Sequence, residues 1–517
     1  MTFPVPQVLQ ANEWLGNDGN WSTWEIAAGT PPQRLNVLPS TSHGEIWLPV
    51  PEGCTWLTDN GGCGPSRGVH DFEGVESLGF QTNASSTWSQ IGIYELSAGG
   101  DLFNTVESGL YGLDTVSVAS DARNITDQAI AGIATKDFWL GSMGLSQQAS
   151  DFAVADEVAE SLLNNMKRLN MTPSVSFGLA VGTSYDALQG SLVIGGFDKS
   201  LSQDPGISIP TSDNQTRALM VSVQSIVATN TLQGTSSLTD DLPSLTMAID
   251  SGVSQLWLPP AVCDELSELF GLSYDNQTGL YLANDTAREQ LLGLSPEVTF
   301  TLSANATSNE TVSIVLPYRA FDLMAGVAIF NETTRYFPIR RATNDTLYVL
   351  GRTFLQEAYL VVDWERANFT VSQLSHQRPA NAEIVPILPV SHQPPKPTGL
   401  SAGAIAGIVV GIVVVLAAVI AGAYFFWWRK RRSKRAESVD EGDEKSRPIS
   451  PYPQDKKTEG PAELGADTTL LTEADSGQVH ELHQEQMPHQ LMSTQVYELP
   501  AEMVERELDA GPKPRKD

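Results

Sequence analysis

Cysteine is scarce in this chain, with Cys54, Cys63 and Cys263 the only three in 517 residues. That excludes a small disulfide-dense scaffold, and the odd number leaves at least one thiol unpaired within the chain. Histidine is rare too: the seven copies are scattered and show no metal-ligand spacing, so no metal site is expected. There is no glycine-rich phosphate-binding loop, so no cofactor is implied, and there is no Ser/His/Asp elbow. Positive charge is also short, with 31 Lys+Arg against 61 Asp+Glu and a net charge of −30. Nucleic-acid binding rests on basic side chains neutralising phosphates, so that function class is excluded. The region after residue 400 holds no asparagine at all.

The densest cluster of positive charge directly follows an uncharged run, "AGAIAGIVVGIVVVLAAVIAGAYFFWW", residues 402–428. Its length suits a bilayer-spanning helix. Tyr424, Trp427 and Trp428 suit the interface, and the six basic residues in 429–435 put the C-terminus in the cytosol. Gly403, Gly407 and Gly411 form overlapping GxxxG steps, open either to helix pairing or to ordinary glycine enrichment in membrane helices. Residues 429–517 carry 14 Lys+Arg against 19 Asp+Glu and read as a disordered cytosolic tail, able to recruit a cytosolic partner. The preceding 428 residues hold 17 against 42, so most of the acidic excess is on the other side. It suits either a low-pH environment or simply a self-repelling, soluble surface.

Twelve Asn-x-Ser/Thr sequons, at Asn20, Asn83, Asn124, Asn170, Asn214, Asn276, Asn284, Asn305, Asn309, Asn331, Asn344 and Asn368, all precede the expected span. They fit a glycosylated part facing the secretory lumen or cell exterior, on a plasma or secretory-pathway membrane. The opening "MTFPVPQVLQ" has no basic start and no long apolar core, so it does not read as a signal peptide. The expectation is that the start is truncated or mis-set. Residues 376–401 are proline-rich and read as an extended stalk.

Before the stalk the pattern is mostly β. "GSLVIGGFD", "RALMVSVQSI", "SIVLPY" and "YLVVDWERANFTVSQ" are β-branched and apolar runs bounded by turn residues. In "VADEVAESLLNNMKRL" the spacing of Val154, Val158, Leu162 and Leu163 predicts one amphipathic helix.

One frame occurs twice. "LTMAIDSGVSQLWLP" runs an apolar strand into Asp250-Ser251-Gly252-Val253, with Trp257 seven residues after Asp250. "RLNVLPSTSHGEIWLP" runs a similar strand into Ser40-Thr41-Ser42, with Trp47 seven residues after Ser40. The repeat pairs Ser40 with Asp250. Gly29-Thr30-Pro31-Pro32-Gln33 before the first turn, "GLYGLDTV", "FWLGSMGLS", "GSLVIGGFD" and "YVLGRTFLQEAYLVVDWERANFTV" then follow in an order that resembles the pepsin-like aspartic peptidases, in particular membrane-anchored fungal members. The resemblance covers roughly residues 20–375.

It implies a mainly β, bilobal fold, with lobes over 1–200 and 201–375 and a cleft for a peptide or protein ligand. It implies that Cys54 and Cys63 form the small disulfide loop behind the first motif. Cys263, where a second bridge would begin, lacks a partner and is expected to be buried and free. The family's reaction uses two carboxylates about 3 Å apart that share a proton, one activating water and one polarising the peptide carbonyl. Here Ser40 stands at the first Asp, and a hydroxyl cannot act as the base. Ser42 replaces the turn glycine, Val253 replaces a supporting hydroxyl, and the flap offers only Phe103 as an aromatic. Glu45 falls beyond the turn, and His43 reads as a surface residue. Asp250, without a charged twin, is expected to titrate near an ordinary Asp, about 3.9. The expectation is a surface homologue that binds or senses rather than cleaves. An atypical endopeptidase using Asp250 is the alternative.

Overall fold

The computed structural model describes residues 3–54, 62–96, 106–118, 123–152, 157–214, 217–378, 381–392 and 415–429. The chain forms two units, 1–393 and 394–517.

The repeat seen in the sequence is a repeat of strand wiring. In the first half Trp21–Ala28 turns at Gly29, whose φ of 86° favours glycine, and pairs antiparallel with Gln33–Ser40. Gln33–Ser40 lies parallel to Gly141–Gly144, with Ser40 opposite Gly144. Gly141–Gly144 also runs antiparallel to Ile46–Pro49, which lies parallel to Ile125–Ile133. In the second half Met220–Thr231 pairs with Leu245–Ile249, which lies parallel to Val349–Leu350. Val349–Leu350 is antiparallel to Leu256–Leu258, which is parallel to Ile339–Arg341. Each half thus brings its central strand and the strand after its turn together on a third strand from later in the chain.

A six-stranded sheet joins the halves, in the order Gln7–Gln10, Leu188–Ile194, Ser176–Thr183, Ala358–Asp363, Asn368–Gln373, Ile207–Pro210. At its centre Ser176–Thr183 of the first half pairs with Ala358–Asp363 of the second, Ser176 opposite Asp363. The central strands are buried on both faces, which is why they read as apolar runs rather than alternating ones. This is the mainly β, bilobal arrangement expected.

Two local expectations are corrected. The predicted helix begins at Leu162, not at 154, and ends at Arg168. Ser161 caps it by accepting a hydrogen bond from the Asn164 N–H. Val158 sits instead in the strand Glu157–Ala159, paired with Ser150–Phe152, and is 64 % exposed. Residue 154 lies outside the described residues. The proline-rich segment is also not free from its start. Ile384–Pro386 adds a strand to Gly196–Asp198, and His376 bridges Asp186 and Glu357. The first part of the expected stalk is therefore tied to the lobes.

Cys54 and Cys63 are disulfide-bonded with their Cα atoms 5.8 Å apart, and Cys263 is free and buried. In the second unit, residues 415–429 are helical, and 402–414 and 430–517 lie outside the described residues. Among the described residues no helix is long and apolar enough to cross a membrane.

Candidate active site

The strands Gln33–Ser40 and Leu245–Ile249 each run into a turn whose middle residue is buried, and the two turns grip each other. Thr41 N–H donates to Ser251 Oγ at 3.1 Å, and Ser251 N–H donates to Thr41 Oγ1 at 3.1 Å. Each hydroxyl then donates onward to the other half: Ser251 Oγ to the Pro39 carbonyl at 2.8 Å, Thr41 Oγ1 to the Ile249 carbonyl at 3.5 Å. Both hydroxyls accept one bond and donate one, so each is satisfied in a buried place. The turn sequences Ser40-Thr41-Ser42 and Asp250-Ser251-Gly252 need their middle hydroxyls for this reason.

The grip brings the side chains that flank it to one point. Gly252 N–H donates to Asp250 Oδ1 at 2.8 Å. A Cβ at Gly252 would lie 3.0 Å from Asp250 Oδ1, 3.1 Å from Ser40 Oγ and 3.3 Å from Ser42 Oγ. The three oxygens therefore ring a space that a larger residue would crowd. Ser40 Oγ and Ser42 Oγ are 3.0 Å apart, and the Ser42 hydroxyl also hydrogen-bonds the Asp250 carboxylate.

Asp250 keeps some exposure to the cleft, but the protein around it desolvates the carboxyl and pushes its pKa above the ordinary value. This corrects the expectation of a normal Asp: a missing twin removes one cause of a raised value, and desolvation supplies another. The Gly252 N–H, the Ser42 hydroxyl and the charges of His43 and Arg352 pull the other way.

His43 is not a surface residue. It is 2 % exposed, stacked on Trp47 with ring centroids 4.1 Å apart and planes 4° apart. Its Nδ1 is 3.0 Å from the Glu45 carbonyl, and its Nε2 is 2.8 Å from Ser142 Oγ. Burial lowers its pKa, while the charges of Glu45 and Asp250 oppose that. Glu45 does not replace the missing acid. Its carboxylate receives Trp47 Nε1 at 3.0 Å, Tyr111 OH at 3.3 Å and Ser150 Oγ at 3.3 Å. Val253 packs in a small apolar cluster with Ala248, Trp257 and Val349. Phe103 lies outside the described residues.

Arg352 is the residue that sequence reasoning missed. It is buried, its Nη1 donates to the carbonyls of Ser251 and Gly252 at 2.9 and 3.0 Å, and its guanidinium sits 4.8 Å over the Trp21 ring. Asp18 faces it at 3.5 Å. The available signal is an arginine directly after Gly351 in an otherwise apolar segment, "YVLGRTFL". Ser40, Ser42, His43, Ser142, Asp250 and Arg352 all line one cavity of about 180 Å³.

Two strand-turns locked across a bilobal β fold, one still bearing its aspartate, define a pepsin-like cleft. A family model described as eukaryotic aspartyl protease matches residues 23–374, and the chain belongs to that family. It is 21 % identical to aspartic proteinase 3 of Saccharomyces cerevisiae over 440 residues, covering 72 % of this chain and 73 % of that one. It is 23 % identical to the aspartic proteinase yapsin-3 of the same organism, covering 70 % and 68 % of the two chains. It is 22 % identical to candidapepsin-1 of Candida albicans, covering 69 % and 82 %.

Proposed function

We propose that this chain is a pepsin-like protein whose cleft binds peptide segments without performing the two-carboxylate reaction. The observation that carries this reading is Ser40. Its hydroxyl stands with Asp250 Oδ1 around the same small space, at the point where the repeat demands a second carboxylate. Glu45, the nearest acid in the sequence, is committed to Trp47, Tyr111 and Ser150. A serine holds water by hydrogen bonding but does not accept its proton near working pH. The cross-lobe grip is kept nonetheless, so the cleft stays built for a ligand.

One feature favours a second reading, an atypical endopeptidase that uses Asp250 alone. The carboxyl is desolvated and its pKa is raised, as a general acid needs. Peptide cleavage by the purified protein at about pH 3–5, beside Asp250→Asn and Ser40→Asp, separates the two. The expected outcome is no cleavage by the natural chain and gain of cleavage in Ser40→Asp. Cleavage by the natural chain that disappears in Asp250→Asn would establish the second reading instead.

The setting of that cleft belongs to the same proposal. The uncharged run at 402–428 and the basic cluster after it support a single span with the tail in the cytosol. The sequons support a glycosylated cleft on the outer side, at the cell surface or in the secretory pathway. The tail then reports or recruits when the cleft is filled. Deleting 429–517 is expected to leave peptide binding intact and abolish any cytosolic partner's recruitment, measured by co-precipitation.

A further inference from the structure

We propose that Ser142 is an activated nucleophile with His43 as its base, giving the cleft an acyl-transfer chemistry toward small esters that needs no second carboxylate. This goes beyond peptide binding, and its reacting atom is neither Ser40 nor Asp250.

The hydrogen bonds place the protons. His43 Nδ1 lies 3.0 Å from the Glu45 backbone carbonyl oxygen. A carbonyl only accepts, so Nδ1 carries the hydrogen. In the neutral ring Nε2 then bears the lone pair. It lies 2.8 Å from Ser142 Oγ, so the serine hydroxyl donates to it. Nucleophile, base and a third group that sets the tautomer are thereby in line, which is the arrangement nucleophilic catalysis requires.

The ring is also held from rotating. It stacks on Trp47, whose Nε1–H is anchored on the Glu45 carboxylate at 3.0 Å. Strand register supplies the serine: Ser142 lies opposite Trp47 in the antiparallel pair, so its side chain falls next to the ring stacked there. Ser142 is only partly buried and opens on the cavity. Burial keeps His43 in its neutral, basic form, while the Glu45 and Asp250 carboxylates favour the imidazolium that forms when it takes a proton.

Atoms and protons balance through two half-reactions. Ser142 Oγ bonds to the ester carbonyl carbon as its proton passes to His43 Nε2. The bond to the alcohol oxygen breaks, and that oxygen takes the proton from Nε2. Water then attacks the acyl carbon, loses a proton to Nε2, and releases the acid as that proton returns to Ser142 Oγ. A cavity of about 180 Å³ suits a short acyl group rather than a long lipid chain.

The test is reaction of the full-length protein with a fluorophosphonate probe at about pH 7, where a neutral imidazole is the base, followed by mass mapping of the adduct. The expected adduct is on the peptide bearing Ser142, absent in Ser142→Ala. In His43→Gln labelling is expected to slow by about 10²-fold or more, the usual cost of losing a general base. Labelling of the natural protein should rise with pH and level off below the ordinary imidazole value of 6.5. The natural protein alone decides the assignment if a variant fails to fold. No adduct beyond that of heat-unfolded protein, an adduct on Ser40 or Ser42, or a rate still climbing above about pH 9 would overturn it.

Discussion

At the scale of single residues, the cleft is governed by Asp250 and its electrostatic surroundings. The Asp250 carboxyl is desolvated and its pKa raised, so the folded state holds its proton more tightly than the unfolded chain. Stability from this group therefore falls as pH rises from the ordinary carboxyl range through the raised value. Asp250→Asn is expected to raise stability at neutral pH, by about 1.4 kcal/mol for each tenfold tightening of that proton, and to leave it unchanged at about pH 3. Denaturant unfolding at the two pH values checks this; an equal effect at both would contradict it. Ser251 carries the opposite kind of weight. Ser251→Ala removes the donor to Pro39 and leaves the buried Thr41 N–H without a partner, at a cost of about 2–3 kcal/mol in the same assay. Ser251→Thr keeps the hydroxyl and should lose less.

At the scale of elements, the repeat of strand, turn and third strand places the turns, and the last strand of the first unit is pinned by a device of its own. His376 lies between Glu357 and Asp186 and its pKa is raised, mainly by the hydrogen bond to Glu357. The groups facing it are those two carboxylates, with Tyr185 bonded to Glu357 and Arg319 bonded to Asp186. A raised histidine stabilises fully below about 6.5 and loses its effect as pH rises through the folded value. His376 is about a third exposed, which weakens the effect through solvent screening. Amide exchange at Ile384 and Val385 is expected to be slower at about pH 5.5 than at about pH 8, after correction for intrinsic rates. His376→Ala should remove that difference. Pairing between neighbouring elements also explains the shifted helix start. Val158 has helical spacing, but strand pairing with Asp151 and a cap at Ser161 decide against it.

At the scale of the whole molecule, the folded surface sorts the sequons by exposure. Eleven of the twelve asparagines are exposed, and Asn368 is half-buried in the strand Asn368–Gln373, opposite Asp363. Enzymatic removal of N-glycans from protein made in a glycosylating host is expected to mark exposed sites by conversion to Asp, and to leave Asn368 unmarked in peptide mapping. A glycan on Asn368 would contradict the strand register there.

The family and its two motifs are legible in the sequence because strand, turn and Trp-Leu-Pro recur at constant spacing, and spacing survives without any knowledge of contacts. The pairing of Ser40 with Asp250 is legible for the same reason, since both lie seven residues before a Trp-Leu-Pro. Burial is not. His43, Glu45 and Arg352 stand in the sequence as polar residues with no period, and only the packing of Trp47 and Trp21 against them removes them from water. Their partners and the pKa directions of His43 and Arg352 follow from that removal, as does the closeness of Ser142 to His43 across 99 residues of chain. Local pattern determines which strands form and where the turns fall; desolvation and side-chain geometry exist only once strands distant in the chain have packed, within the first half for His43 and Glu45 and across the two halves for Arg352.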